Sequence, residues 1–113
     1  MKFPECKYKK TEMDLAVAEH LDIGFEDHGC FVMFGGLSYG SGSQGIGLTM
    51  SSDFLKRFIR AFGVERLSEC NGRYVFVEHS MCMIHRLIPI SFGSDEENAE
   101  FDISQWLKDN KVV

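Results

Sequence analysis

The side chains best suited to ligand binding are cations near the middle of the sequence. A predicted helix carries Lys56, Arg57 and Arg60 on one face, and Arg66 and Arg73 follow in the next segment. Ammonium and guanidinium groups bind carboxylates and phosphates through charge-assisted hydrogen bonds. The five residues therefore predict a face for an acidic protein partner or a phosphate, and a merely solvated helix face is the alternative.

A second candidate site is the glycine-rich segment over residues 40–47, with Gly40, Gly42, Gln44, Gly45 and Gly47 as its candidate residues. Glycine permits positive φ and a close approach of the backbone to a ligand such as a phosphate. The Ser43–Gly47 stretch resembles the pyrophosphate loop of GNAT-type acetyltransferases, which implies acetyl-CoA binding. It departs from that pattern because Leu48–Met50 separate it from the helix. A glycine-rich strand edge is the alternative interpretation.

Two further groups carry reactive side chains. A predicted hairpin turn contains Glu26, Asp27 and His28, where the last two could form an acid–base pair, although no catalytic motif surrounds them. The candidates for zinc are His79, Cys82 and His85, with Cys70 as a fourth ligand, but spacing by three on a hairpin does not place them on one face. We predict no catalytic residue, metal or cofactor, and no enzymatic activity.

Composition places the chain among ordinary globular proteins. It has 113 residues, of which 44% are hydrophobic and 26% charged, and a domain of this size buries roughly two-thirds of its unfolded surface. Twelve Lys and Arg against seventeen Asp and Glu give a net charge of −5. That charge argues against direct nucleic-acid binding, because neutralised phosphates supply most of such affinity.

The sequence also bears on compartment and domain organisation. No segment approaches the roughly 20 apolar residues of a membrane span, and the four cysteines are too sparse for a disulfide scaffold. We therefore expect a reduced, cytoplasmic protein that does not contact a membrane. We expect one domain over residues 1–113, with residues 1–13 and 111–113 flexible.

Residue periodicity predicts an α+β fold in the order β-β-β-α-β-β-α. The predicted elements are strands over 15–25, 30–39 and 44–50, a helix capped by Ser51 and closed by Gly63, a hairpin of strands 74–78 and 83–90, and a C-terminal helix capped by Asp102. In the first strand, Leu15, Val17, Leu21, Ile23 and Phe25 form the predicted apolar face. We expect an antiparallel sheet of about five strands, covered by one main amphipathic helix and a short C-terminal helix.

Several segments together resemble a family of small proteins encoded by phages and prophages. They are the Leu21–Gly29 stretch, the Gln44-Gly45 pair within 40–47, and Phe58–Val64 followed by Gly72-Arg73-Tyr74-Val75. The resemblance extends from about Leu15 to Trp106. The family's insertion after the third strand is shortened here. Because its members are uncharacterised, the resemblance implies a genomic setting more than an activity.

That setting and the absence of a catalytic motif favour a protein that acts by binding. We expect an inhibitor of a host defence complex, of the anti-CRISPR type, whose partner is a host protein. The alternatives are a binder of a phosphate-containing or nucleotide signal at the glycine-rich segment, an acetyltransferase, and a virion-associated protein. A homodimer through an exposed edge strand is a further expectation.

Overall fold

The strands and helices follow one another in an order close to the predicted one. The computed structural model describes residues 2–25, 31–40, 42–45, 48–49, 51–81, 83–90 and 99–110. Within them lie the strands β1 (Glu12–Phe25), β2 (Phe31–Tyr39), β3 (Gly42–Gly45), β4 (Leu48–Thr49), β5 (Tyr74–Ser80), β6 (Met83–Ile88) and β7 (Phe101–Asp102) and the helices α1 (Ser52–Ala61), α2 (Leu67–Cys70) and α3 (Ile103–Asp109).

The strands form one antiparallel sheet in the order β3-β2-β1-β5-β6-β7, and β4 pairs with β2. The predicted α+β fold, with an antiparallel sheet covered by helices, is confirmed. The strand predicted over 44–50 is present as β3 and β4, which pair with β2 in the same register, and residues 46, 47 and 50 lie outside the described residues. The two-residue β7 and the one-turn α2 were not predicted, since such short elements show no periodicity. The predicted turn at 26–29 lies outside the described residues.

The helix α1 forms where its caps and apolar stripe predict it. The Ser51 hydroxyl accepts a hydrogen bond from the amide of Phe54, and Gly63 follows the helix with a φ of 73°. Phe54 and Phe58 are buried against the sheet residues Ala16, Ala18, Leu37, Val75, Val77 and Leu87. One face of the sheet is therefore the main core, and the opposite face of α1 remains for solvent or a partner.

The core face of β1 differs from the predicted one. Ala16 and Ala18 are fully buried beneath the helices, whereas the sequence pattern favoured Leu15 and Val17. Beyond Glu19 the pairing with β2 shifts register, so that two residues of β1 lie opposite Gly35 alone. This bulge moves Leu21, the second of the two, onto the core face. A strict two-residue alternation cannot anticipate such a shift.

The bulge is fixed from the neighbouring segment by Asn71. The amide of Leu21 donates to the Asn71 side-chain oxygen at 2.8 Å, and the Asn71 side-chain nitrogen donates to the Leu21 carbonyl at 3.2 Å. Ala18 exchanges backbone hydrogen bonds with Gly72 and Arg73. The segment between α2 and β5 therefore continues the pairing of β1 beyond the first residue of β5, and it satisfies backbone groups that the bulge would otherwise leave open.

Gly35 is required at the bulge, and we expect Gly35→Ala to destabilise the protein. Its φ is 129°, and an added Cβ would lie 2.7 Å from Leu21 Cδ2 and 2.9 Å from the His20 carbonyl oxygen. We expect a loss of about 2–3 kcal/mol in the free energy of unfolding. Gly40→Ala is the matched control because nothing lies within 4 Å of its added Cβ. Urea unfolding that gave equal midpoints for both variants would contradict this account.

Candidate functional site

A polar cleft of about 150 Å³ lies beside the exposed face of α1. Its lining residues are Asp53, Lys56, Arg57, Arg60, Ala99 and Glu100. The four from α1 follow the spacing i, i+3, i+4 and i+7, which places them on one helix face opposite the buried phenylalanines. The predicted cations Lys56, Arg57 and Arg60 are thus brought together. Arg66 and Arg73 are exposed on the following segment and are not among the lining residues.

The two acids in the cleft wall are already hydrogen-bonded. Asp53 Oδ2 accepts from Trp106 Nε1 at 2.8 Å and from Arg57 Nε at 3.1 Å. The Trp106 hydrogen bond lowers the pKa of Asp53, and Arg57 and Lys56 lower it further. Within the described part of the chain, no carboxylate forms an ion pair with Lys56 or Arg60. The charges that the cleft leaves uncompensated are therefore positive.

The second acid of the cleft, Glu100, is held from beneath by Arg86. This arginine, on β6, pairs with Glu100 through Nη1 and with Glu78 through Nε, and its Nη2 donates to the Glu5 carbonyl at 2.7 Å. Its side chain is 9% exposed. A guanidinium buried this far needs hydrogen-bond partners, and each of its three nitrogens donates to a separate acceptor here. Glu100 is thereby paired with Arg86 and not with a cation of α1.

Glu78 anchors the N-terminal segment to the sheet. Its side chain is fully buried and accepts hydrogen bonds from the amides of Lys7 (3.0 Å) and Tyr8 (2.7 Å) and from the hydroxyl of Thr11 (2.6 Å). Burial alone would raise the pKa of Glu78, but these donors together with Arg86 lower it to about 2. The flexibility expected for residues 1–13 stays a prediction; in the structure Lys7, Tyr8 and Thr11 hydrogen-bond to Glu78, and β1 begins at Glu12.

The same N-terminal segment reaches α3 through Asp102. The Asp102 carboxylate accepts from Lys7 Nζ and from the Tyr8 hydroxyl, both at 2.7 Å, and caps α3 by accepting from the amide of Gln105. Burial and the contact with this carboxylate raise the pKa of Tyr8 to about 12. The predicted cap at Asp102 is therefore present. It positions α3 so that Trp106 reaches Asp53 in the cleft wall.

The residues considered for zinc have separate surroundings. His79 Nε2 lies 2.7 Å from Asp14 Oδ2, while the ring nitrogens of His85 contact the hydroxyls of Ser104 and Ser80. Cys82 lies outside the described residues. Burial raises the pKa of Cys70 to about 11, so this thiol stays protonated near neutral pH. Among the described residues, the potential metal ligands that come together are Glu12, Asp14 and His79.

The glycine-rich segment forms an edge of the sheet. Gly42, Gln44 and Gly45 belong to β3, whose residues pair with Gly36–Tyr39 of β2, and Gly40 occupies the exposed turn before it. The strand β4 and the cap Ser51 separate β3 from α1. Gly47 and the turn residues Glu26, Asp27 and His28 lie outside the described residues. None of the described helices is long and apolar enough to cross a membrane.

The network that engages the two acids of the cleft includes Glu78, Arg86 and Trp106, and none of these was predicted as a site residue from the sequence. Glu78 and Arg86 are buried charges within apolar strands, and only the strand register shows that they face each other. Trp106 lies on α3, and its indole N–H donates to Asp53 in the cleft wall. The available signal for the buried pair was a Glu and an Arg on the two strands of a predicted hairpin, but their register depends on the irregularity between Glu78 and His79.

We expect Glu78→Gln to destabilise the protein by about 3–5 kcal/mol, because removing one member of a buried ion pair leaves Arg86 uncompensated. The measurement is the free energy of unfolding from urea titration at pH 7. Glu65→Gln, at an exposed position, should stay within about 0.5 kcal/mol of the original protein. Equal losses for the two variants would show that the Glu78 network contributes little to stability.

The low pKa of Glu78 also predicts a pH dependence. The folded value of about 2 lies below the ordinary 4.5, so protons bind the unfolded chain more tightly. This contribution to stability is complete above pH 4.5 and is lost as the pH falls toward 2. We expect the stability difference between the original protein and Glu78→Gln to narrow over that interval. A constant difference would contradict the lowered pKa.

No family model, curated protein or solved structure matches this chain. The function is therefore inferred from the geometry of the cleft and its surroundings.

Proposed function

We propose that this protein acts by binding another protein, and that the cleft beside α1 receives an acidic group of that partner. The observation that carries the proposal is the pair Lys56 and Arg60. Both are exposed cations lining a cleft in which the neighbouring acids Asp53 and Glu100 already have partners. A carboxylate entering the cleft would meet two cations without having to displace an existing ion pair.

The size of the cleft favours a side chain of a partner protein over a free small molecule. Pockets that enclose ligands usually measure about 300–1,000 Å³, whereas this cleft measures about 150 Å³. A space of that volume accommodates a side chain or a chain terminus, with the rest of the partner lying on the surrounding surface. The cleft's own side chains supply donors and charge, which is what recognition requires.

The negative net charge of the protein restricts which acidic partners can bind at the cleft. With a net charge of −5, the molecule as a whole repels acidic partners, so attraction must come from the local cations of α1. A partner is then selected by an acidic group placed to reach this helix. We expect the affinity to fall as ionic strength rises, because the contacts are partly exposed.

The resemblance to small phage and prophage proteins supplies the setting of the proposal. We propose that the partner is a subunit of a defence complex in the bacterial cytoplasm, and that binding inhibits it in the manner of an anti-CRISPR protein. This part of the proposal is supported by the sequence resemblance and by a cleft suited to binding. A phosphate-containing ligand at the same cations is the second candidate, because Lys and Arg bind phosphate by the same chemistry.

A charge-reversal experiment tests the cleft. Tagged protein recovered from a lysate of cells carrying the defence complex should contain a stoichiometric subunit of that complex by native mass spectrometry. The double variant Lys56→Glu/Arg60→Glu should bind that subunit at least about 100-fold more weakly, a difference of about 2.7 kcal/mol. The control Arg66→Glu/Arg73→Glu makes the same change of charge outside the cleft and should bind as the original protein does.

The outcomes separate the alternatives. Equal binding by both double variants would move the interface away from α1. A bound mass of nucleotide or coenzyme size, lost in the cleft variant alone, would instead support the phosphate-containing ligand. Binding weakened equally by both variants would point to general electrostatic attraction and would contradict a specific role of the cleft.

A further inference from the structure

We propose that Glu12, Asp14 and His79 bind one divalent transition-metal ion at a site separate from the α1 cleft. One potential ligand atom from each of these side chains lies within 4.8 Å of the other two. The set combines one imidazole nitrogen with two carboxylate oxygens, which are donor types that Zn²⁺ and its first-row neighbours accept. No step of the proposed protein binding depends on this site.

The strand register builds the site. Glu12 lies directly opposite His79 in the antiparallel pairing of β1 with β5, and Asp14 is two residues further along β1. Because side chains alternate between the faces of a sheet, these three share one face. Two neighbouring strands therefore hold all three ligands, so little backbone rearrangement is needed when an ion binds.

His79 is the ligand most firmly oriented. Its side chain is only 8% exposed, and its ring stacks on Tyr39 with the ring centroids 4.1 Å apart. This contact leaves Nε2 directed at Asp14 Oδ2, at a distance of 2.7 Å. A histidine that is fixed by packing loses little freedom on metal binding, which raises its affinity as a ligand.

The two carboxylates among Glu12, Asp14 and His79 also favour the binding of a cation. Glu12 and Asp14 bring two carboxylates to one point, and within the described part of the chain neither forms an ion pair with a lysine or arginine. A divalent ion would balance the two carboxylate charges.

The geometry permits coordination with small side-chain movements. A zinc ion lies about 2.0–2.2 Å from nitrogen and oxygen ligands, which keeps neighbouring donors about 3 Å apart. The Asp14–His79 contact would open by a few tenths of an ångström, and the exposed Glu12 side chain would close onto the ion. Three protein ligands leave at least one position for water, so the site would be open to a fourth ligand from solution. We expect Zn²⁺ to bind more tightly than Mn²⁺, in line with the usual order of affinities.

The test uses the full, untagged chain after treatment with a chelator. Isothermal titration with Zn²⁺ should give one ion per chain, and Glu12→Gln should weaken that binding by at least about tenfold, since even residues outside the coordination shell cost 10–100-fold. Glu12 is exposed, so this variant should unfold at the temperature of the original protein. Glu65→Gln is the control and should bind Zn²⁺ normally.

Titration with Co²⁺ identifies the donors. Coordination by Glu12, Asp14 and His79 should give weak d–d absorption without a thiolate-to-metal charge-transfer band, and Asp14→Asn should remove it. A thiolate band would assign the ion to cysteines and overturn the proposal. The proposal would also fail if Zn²⁺ gave no saturable heat, or if Glu12→Gln and Asp14→Asn both bound as tightly as the original protein.

Discussion

The carboxylate of Glu78 has no exposed surface, and a buried charge is tolerated only when every one of its acceptor sites is used. The donors that meet this requirement come from the N-terminal segment and from β6. The N-terminal segment contributes two amides and a hydroxyl, and β6 contributes Arg86. Phe3 packs on Phe76 beside this network, with the ring centroids 5.4 Å apart. The N-terminal segment before β1 thus covers the second face of the sheet around Phe76 and Glu78.

The same network determines the electrostatics of the α1 cleft. Arg86 links Glu78 to Glu100, and Asp102 links the N-terminal segment to α3, from which Trp106 reaches Asp53. Both acids of the cleft are therefore engaged by groups that belong to the structural framework. Lys56 and Arg60 therefore have no ion-pair partner among the described residues. These exposed α1 cations without an ion-pair partner among the described residues are a consequence of how a buried charge elsewhere is satisfied.

Features that depend on local sequence patterns were predicted correctly, whereas features that depend on the register between strands were not. The caps at Ser51 and Asp102, the apolar stripe of α1 and the hairpin strands all leave local signals, and they are present. The face of β1 was predicted wrongly because the bulge opposite Gly35 interrupts the alternation. The three cations of α1 were grouped correctly from helical spacing. Their separation from Arg66 and Arg73, and the juxtaposition of His79 with Glu12, required the tertiary structure.

The position of β1 in the sheet has a consequence for the order in which the protein folds on the ribosome. β1 pairs with β2 soon after both emerge, but its other neighbour β5 is synthesised only after α1 and α2. The hydrogen bonds that Lys7 and Tyr8 donate to Glu78 span 71 and 70 residues. Such distant contacts make folding slow, because long loops must close first. In the nascent chain, the edge of β1 that pairs with β5 therefore stays without its partner until most of the sequence has been translated, and unpaired edges of this kind favour aggregation.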